Sequence, residues 1–217
     1  MSIARSKVTG IILAGGRSSR MGSDKALLPI GTEGDMILKV VAEQMLALGM
    51  PNVVVSVGDS EREDVYRTQL KGLPGQVQFV HDAYPDCGPL AGLHAALSAM
   101  QEPGYGFVMA CDMPVLSGSL LGRMLELASE ETALRPEAGV SQVIRTANQP
   151  FHALYHTSVT NDLQQRLERR ELRLMSLLDA MHTVEVKPLP DEEAAFVNLN
   201  TRELYADYVR AKGHFSL

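Results

Sequence analysis

The segment from Ala14 to Lys25 carries the densest set of groups that could perform chemistry in this sequence. It follows a short apolar run and contains adjacent glycines, three serines and three basic residues, Arg17, Arg20 and Lys25. Glycines let backbone N–H groups approach a ligand closely, hydroxyls form hydrogen bonds, and the basic residues supply positive charge. These groups suit a polyphosphate, so the segment predicts nucleotide binding. The alternative is an ordinary turn with solvated basic residues.

The spacing within this segment excludes two common phosphate loops. A P-loop places Lys and then Ser or Thr directly after its second glycine, whereas Gly22 is followed by Ser23 and Asp24. The segment also lacks the G-x-G-x-x-G pattern of dinucleotide-binding folds. A nucleotide site of another kind is therefore predicted.

Two aspartates follow apolar runs further along the chain. Asp112 follows the run Phe107–Cys111, and Asp82 lies just beyond Val77–Val80. Mg²⁺ is usually held by one or two carboxylates plus substrate phosphates, which makes Asp112 a candidate metal ligand. Asp82 could accept a hydrogen bond from a ribose hydroxyl or a base. For both aspartates the alternative is a local role in a turn or helix cap.

Two asparagines near the C-terminus form a further candidate pair. Asn198 and Asn200 lie two residues apart, so on an extended segment both amides point to the same side and could face one ligand. The competing interpretation is that Asn200 or Thr201 caps the helix that begins there. Capping explains Asn200 fully and leaves Asn198 for a role toward a substrate or a metal.

Alternating strands and helices must position these residues. Before residue 130, four predicted strands alternate with four predicted helices: strands at Val8–Leu13, Val53–Val57, Val77–Val80 and Phe107–Cys111, and helices at Asp35–Leu48, Glu61–Leu70, Pro89–Met100 and Ser119–Ser129. This pattern predicts a parallel sheet with helices on both faces. Ligands of such sheets bind at the carboxyl ends of the strands, where the candidate loops lie.

The pattern changes after residue 130. Gly139–Arg145 and Phe151–Tyr155 predict two strands joined through Thr146–Asn148, an antiparallel excursion. Two helices, a short strand and a last helix follow, at Ser158–Arg170, Leu172–Met181, Thr183–Lys187 and from Thr201 onward. No convincing linker interrupts the sequence, so a single domain over residues 1–217 is predicted.

Composition excludes several functional classes. The chain has 217 residues, a net charge of −6, 5% aromatic residues and no Trp, which argues against a nucleic-acid-binding face. No apolar run reaches the roughly 18–20 residues of a membrane helix, and no secretory cleavage pattern follows the N-terminus. Cys87 and Cys111 lack a metal-binding or disulfide spacing and indicate reduced thiols. The expected location is cytoplasmic, with no nucleic-acid or membrane partner.

The glycine-rich segment resembles a known family signature. Leu13–Gly16, together with Arg20–Gly22 and Lys25, is similar to the signature of nucleotidyltransferases with a Rossmann-like fold. Three later motifs resemble those of the molybdenum cofactor guanylyltransferases: Gly88–Gly92, Cys111–Pro114 and Phe196–Thr201. The resemblance extends from Ile11 to about Leu204, with the motifs in the family's order.

The resemblance implies a fold and a reaction. The fold is α/β, a three-layer Rossmann-like nucleotidyltransferase fold with a mostly parallel central sheet and a small antiparallel excursion. Residues 1–130 form its nucleotide-binding half and residues 131–217 its acceptor-binding half. The reaction transfers GMP from GTP to molybdenum-bound molybdopterin, with Mg²⁺, and releases pyrophosphate. Proteins that insert the finished cofactor are possible partners.

The resemblance also implies residue roles. Lys25 matches the phosphate-binding lysine, Asp112 the magnesium ligand, and Arg20 joins them as a catalytic residue. The implied nucleotide-binding residues are Leu13, Ala14, Gly15, Gly16, Lys25, Asp82 and Asp112. The implied acceptor-binding residues are Arg173, Asn198 and Asn200.

The chain departs from the family at Ser56, where relatives can carry Asn as a further nucleotide contact. A hydroxyl lacks the paired donor and acceptor of an amide, which leaves the choice between GTP and CTP open. Two alternatives remain: a related nucleotidyltransferase that uses CTP or a sugar-phosphate acceptor, and a catalytically silent nucleotide-binding module.

Overall fold

A mixed seven-stranded sheet forms the centre of the computed structural model, which describes residues 2–16, 24–30, 34–58 and 60–212. The strands lie in the order β3-β2-β1-β4-β6-β5-β7. Their bounds are β1 Thr9–Leu13, β2 Asn52–Val57, β3 Gln76–His81, β4 Tyr105–Ala110, β5 Val143–Thr146, β6 Gln149–His156 and β7 Thr183–Glu185.

The sheet is mostly parallel, as the sequence predicts. Strands β1, β2, β3 and β4 pair in parallel, and β5 pairs in parallel with β7. Of the described strands only β6 runs in the opposite direction, between β4 and β5. The carboxyl ends of the other strands therefore open on one edge of the sheet, called the carboxyl edge below, together with the turn that joins β5 to β6.

Helices cover both faces of the sheet. Their bounds are α1 Ile37–Ala47, α2 Ser60–Gln69, α3 Pro89–Ser98, α4 Gly118–Leu134, α5 Thr160–Glu168, α6 Leu174–Ala180 and α7 Arg202–Ala211. Short 3₁₀ helices add Arg5–Lys7, Lys25–Leu27, Pro136–Ala138, Thr157–Val159 and Pro190–Phe196. None of the helices in the described ranges combines the length and the apolarity of a membrane span.

Two hydrophobic clusters make the layers. Ile11 and Ile12 are neighbours on β1, are fully buried, and belong to different clusters, because successive strand residues point to opposite faces. Ile12 packs in the cluster that contains residues of α1, α2 and α4. Ile11 packs in the cluster that contains residues of α3, α5 and α6. This is the predicted three-layer arrangement.

Two predicted boundaries were wrong by four or five residues. Helix α4 continues to Leu134 rather than ending at Ser129, since no helix-breaking residue intervenes before Pro136. Strand β5 begins at Val143 rather than Gly139. Gly139 ends the preceding 3₁₀ helix with a φ of 73°, a left-handed conformation that is incompatible with a strand.

Candidate active site

Lys25, Asp112 and Asn200 form a polar cluster at the carboxyl edge. The Lys25 ammonium lies 3.0 Å from Asp112 Oδ2 and donates a second hydrogen bond to Asn200 Oδ1. The side chains of Lys25 and Asp112 are only 15% and 17% exposed. Lys25 is separated from its partners by 87 and 175 positions in the sequence, so only the fold brings the three together.

Local structure positions Lys25 and Asp112. Lys25 opens the 3₁₀ helix Lys25–Leu27, whose N-cap is Asp24; its carboxylate accepts a hydrogen bond from the Ala26 backbone N–H at 3.1 Å. Asp112 lies just after β4, where the backbone N–H of Cys111 still donates to the carbonyl of Leu13 at 3.2 Å. Asp112 caps no helix in the described chain, and its carboxylate faces Lys25 instead.

The asparagine segment is attached to the same loop. The backbone N–H of Leu199 donates to the carbonyl of Asp112 at 2.9 Å, and the Leu199 side chain is fully buried. Thr201, not Asn200, caps α7, because its hydroxyl accepts a hydrogen bond from the Leu204 N–H at 3.3 Å. The interpretation of Asn200 as a cap was therefore wrong, and its amide oxygen meets Lys25.

Asn198 carries an unsatisfied acceptor. Its Oδ1 atom is buried and accepts no hydrogen bond from the residues that the structure describes. Buried polar atoms are nearly always hydrogen-bonded, so an amide oxygen in this position is available to a ligand or a water molecule.

The end of β1 combines close backbone contact with open space. The Ala14 N–H donates to the carbonyl of Ser56 at 2.9 Å, which extends the pairing of β1 with β2. A Cβ on Gly15 would lie 3.2 Å from the backbone nitrogen of Gly58. A Cβ on Gly16 would meet none of the described atoms within 4 Å. Gly15 thus packs closely against Gly58, whereas the described residues leave room beside Gly16.

Helix α2 forms hydrogen bonds to the glycine-rich segment at Gly16 and at Asp24. Arg62 donates to the carbonyl of Gly16 at 3.0 Å and lies 3.9 Å from Asp24 Oδ2. The fully buried Tyr66 donates its hydroxyl to Asp24 Oδ2 at 2.6 Å. Burial and the Asp24 carboxylate both raise the pKa of Tyr66, so the hydroxyl stays protonated and remains a donor. These residues were not predicted from the sequence, where the one available signal was an aromatic residue, Tyr66, within the otherwise polar segment of helix α2.

Residues 17–23 lie outside the described residues. They include Arg20, the third predicted catalytic residue, and the Met21-Gly22 pair of the motif. The residues on either side of this segment, Gly16 and Asp24, are described, and α2 contacts both of them.

Asp82 lies at another part of the same edge. It follows β3, two strands from β1, a separation of roughly 10 Å at about 4.8 Å per strand. Its Oδ1 accepts a hydrogen bond from the Ser56 hydroxyl at 3.1 Å. Burial raises the pKa of Asp82, and the hydrogen bond from Ser56 acts in the opposite direction. The structure thus brings Asp82 to Ser56 rather than into contact with Lys25 and Asp112.

Arg173 lies apart from these groups. It precedes α6 as its N-cap and is solvent-exposed. Within the described ranges its side chain forms no hydrogen bond or ion pair, whereas nearby Arg166 pairs with Glu171 at 3.7 Å. The structure therefore does not join Arg173 to the Lys25 cluster.

The cysteines are unpaired thiols, as predicted. Cys111 adjoins Asp112, and burial together with the charges of Asp112 and Asp24 raises the pKa of its thiol to about 12. The thiol is therefore protonated near neutral pH and unsuited to act as a nucleophile. Cys87 is buried in the hydrophobic cluster beside α3.

The donors near Asp112 fit Mg²⁺. The Asp112 carboxylate and the Asn200 amide oxygen both accept hydrogen bonds from Lys25. The unsatisfied Asn198 Oδ1 lies on the segment whose Leu199 N–H donates to the Asp112 carbonyl. All are hard oxygen ligands, the type that Mg²⁺ prefers. The described residues contain no cluster of three or more His, Cys, Asp or Glu. A lone carboxylate matches sites in which substrate phosphates complete the coordination.

Comparison with known proteins gives consistent results. The family model of the MobA-like NTP transferase domain matches residues 10–184. The molybdenum cofactor guanylyltransferase of Serratia proteamaculans (strain 568) is 34% identical over 209 residues, covering 95% of this chain and 96% of the relative. The protein of the same name from Xanthomonas euvesicatoria pv. vesicatoria is 31% identical, covering 91% and 92%.

Solved structures share the fold. Molybdopterin-guanine dinucleotide biosynthesis protein A from Archaeoglobus fulgidus superposes with a TM-score of 0.72 at 20% identity, covering 95% of this chain and 100% of that one. The 4-diphosphocytidyl-2C-methyl-D-erythritol synthase of Anaerococcus prevotii superposes at 0.67 with 12% identity, covering 95% and 96%. At these identities the likeness establishes the fold alone.

Proposed function

This chain belongs to the MobA-like NTP transferase domain family and is a nucleotidyltransferase, and from that premise we propose that it transfers GMP from GTP to molybdenum-bound molybdopterin. The observation that carries the proposal is the Lys25–Asp112–Asn200 cluster at the carboxyl edge. It unites residues of the nucleotide motif, of the motif after β4 and of the C-terminal asparagine motif in one place. The names of the relatives supply the donor and the acceptor.

Lys25 and Asp112 act on the nucleotide phosphates. Without substrate, the two charges neutralise each other at 3.0 Å. When GTP binds, the Lys25 ammonium turns to the phosphate oxygens, and Arg20 adds positive charge from the glycine-rich segment. Asp112 would hold Mg²⁺ together with the phosphates, and the ion would supply positive charge that offsets the negative charge of the triphosphate and of the departing pyrophosphate.

The reaction is a displacement at the α-phosphorus of GTP. An oxygen of the acceptor's terminal phosphate forms the new P–O bond, the bond between the α-phosphorus and the bridging oxygen to the β-phosphorus breaks, and pyrophosphate leaves with the electron pair. A phosphate monoester is already anionic at pH 7, so no general base has to remove a proton. The protein supplies alignment and electrostatic stabilisation.

The asparagine motif holds the acceptor. Asn198 has a buried amide oxygen without a described partner, and Asn200 contacts Lys25. An acceptor that donates a hydrogen bond to Asn198 would lie beside the phosphate-binding lysine, as the displacement requires. Arg173 lies apart from this cluster, so its proposed role requires an acceptor that extends from Asn198 to the start of α6.

Pyrophosphate release tests the proposal. Purified protein is incubated with Mg²⁺, molybdate-loaded molybdopterin and either GTP or CTP, and the dinucleotide product is identified by mass. We expect release with GTP, a guanine dinucleotide product, and loss of both in the Asp112→Asn variant. Asp179→Asn, an exposed aspartate on α6, is the matched control and should retain activity. Release with CTP in preference to GTP would show a cytidylyl enzyme, and release with neither nucleotide would support a silent binding module.

A further inference from the structure

We propose that Ser56 is a positioning residue that presents the Asp82 carboxylate to the nucleoside of the bound nucleotide. The inference rests on the proposed function, since it concerns the nucleotide site. It differs from the direct contact that the family's Asn would make at this position, because Ser56 acts through Asp82.

Ser56 is bonded to two parts of the proposed nucleotide site. Its backbone carbonyl accepts a hydrogen bond from Ala14 N–H at 2.9 Å, at the start of the glycine-rich segment. Its hydroxyl donates to Asp82 Oδ1 at 3.1 Å. Ser56 is 1% exposed, so its end of both bonds is buried. The residue therefore fixes Asp82 relative to the segment that meets the nucleotide.

Helix α3 confines the Ser56 hydroxyl. A Cβ on Gly92 would lie 2.5 Å from Ser56 Oγ and 3.5 Å from Asp82 Oδ1, so only glycine leaves room for the pair. A hydroxyl has a single proton to donate, and here Asp82 accepts it. Ser56 consequently has no donor left for a ligand, which is why its effect must pass through Asp82.

One oxygen of the Asp82 carboxylate remains available to a ligand. Oδ1 is bonded to Ser56, and Oδ2 accepts no hydrogen bond from the described residues. Asp82 is half-buried at the carboxyl edge, where its free oxygen can accept an N–H or O–H bond from a ligand. A guanosine nucleotide offers such donors on two parts, the N1–H and 2-amino groups of the base and the hydroxyls of the ribose.

Binding of nucleotide to the full chain tests the role of Ser56. The dissociation constant for GTP with Mg²⁺ is measured by calorimetry for Ser56→Ala, Ser56→Thr and Ser141→Ala. Ser141 is a matched control, since it is fully buried and its hydroxyl has no described partner. We expect Ser56→Ala to weaken GTP binding by about tenfold, the scale of one hydrogen bond to a charged group. Ser56→Thr should restore much of the affinity, and Ser141→Ala should not change it.

Nucleotide analogues separate positioning from a general structural effect. ITP lacks the 2-amino group, and 2′-deoxyGTP lacks one ribose hydroxyl. We assign the Asp82 contact to the 2-amino group of the base or the 2′-hydroxyl of the ribose, so the wild-type protein should bind one of the two analogues more weakly than GTP. Ser56→Ala and Asp82→Asn should lose that discrimination. A merely structural role of Ser56 would weaken all three nucleotides equally and leave the discrimination intact.

The outcomes distinguish the two proposals. Unchanged GTP affinity in Ser56→Ala, or retained discrimination among the three nucleotides, would overturn the role of Ser56. Wild-type affinity and discrimination in Asp82→Asn would overturn it as well, while the proposed transfer of GMP would stand. If the wild-type protein prefers CTP, the proposed function fails; weaker CTP binding in Ser56→Ala but not in Ser141→Ala would still support the positioning role.

Discussion

Lys25 and Asp112 lie 87 residues apart in the sequence, and the Lys25 ammonium lies 3.0 Å from Asp112 Oδ2. The carbonyl of Asp112 also accepts the Leu199 N–H, which attaches the asparagine motif to the same loop. Three separate sequence motifs thus converge at the carboxyl edge of the sheet. Their convergence makes the effects of substitutions there interdependent.

Substitution of Lys25 and Asp112 should show this interdependence. Lys25→Ala removes the charge that is proposed to bind the phosphates and leaves Asp112 without this cation, so GTP binding without Mg²⁺ should weaken by about 2 kcal/mol. Asp112→Asn should leave GTP binding without Mg²⁺ intact or strengthen it, because it releases Lys25. Calorimetric titrations with and without Mg²⁺ check both variants. Equal losses in both variants without Mg²⁺ would contradict the assignment of Asp112 to the metal.

Removal of the Tyr66 hydroxyl should destabilise the protein. Tyr66→Phe takes away the 2.6 Å hydrogen bond to Asp24 within a fully buried side chain, at a cost of about 1–3 kcal/mol in the free energy of unfolding. Arg62→Ala is the matched comparison on α2. Arg62→Ala removes the 3.9 Å ion pair with Asp24 and the exposed hydrogen bond to the Gly16 carbonyl, and at a solvent-accessible side chain these should contribute about 1 kcal/mol together. Urea denaturation measures both, and a smaller loss for Tyr66→Phe than for Arg62→Ala would refute the ranking.

A methyl group at Gly92 should disrupt the Ser56–Asp82 pair. The added Cβ would lie 2.5 Å from Ser56 Oγ, so Gly92→Ala forces a shift that costs about 1–3 kcal/mol. Gly104→Ala is the control, because a Cβ there comes no nearer than 3.8 Å to the Lys7 carbonyl oxygen. Thermal unfolding compares the two variants. Equal melting temperatures would show that α3 and β2 have more space than the structure gives them.

Protonation of His152 should weaken the fold in mild acid. His152 is fully buried against the rings of Phe107 and Phe196, and burial lowers its pKa from 6.5 to about 4, with the Glu192 charge acting in the opposite direction. Between pH 6.5 and 4, His152 is therefore protonated in the unfolded chain and neutral in the folded chain. The stabilisation is complete above pH 6.5 and declines by about 3 kcal/mol as the pH falls through this interval.

A substitution isolates the contribution of His152 from that of the carboxylates. His152→Asn removes the titrating ring and tolerates the backbone φ of 61° at this position. The free energy of unfolding is measured by urea denaturation from pH 4 to pH 7.5. The variant should lose less stability on acidification than the wild-type protein. Parallel curves for the two proteins would place the pKa of His152 near its ordinary value.

Much of the fold was predictable because its signals are local. The apolar runs of β1, β2 and β4 and the helix stop at Gly49, which adopts a φ of 93°, follow from hydrophobic patterning and backbone freedom. The antiparallel pair β5–β6 also follows from its turn residues. The end of a helix is a less local property where no helix-breaking residue follows, and α4 continues to Leu134 rather than ending at Ser129 as predicted.

Residue types and spacing by themselves predicted the α/β class and marked the glycine-rich segment with Lys25, and Asp112, as candidates for phosphate and metal binding, because backbone conformation and donor chemistry depend on the residues themselves. Tertiary structure alone decided which of these groups meet. It brought the Asn200 amide oxygen to Lys25 and made Thr201 the cap of α7. It also paired Ser56 with Asp82 beside Gly92 and joined the Tyr66 hydroxyl to Asp24. Those contacts depend on strand order and helix packing, which bring together residues that are distant in the sequence.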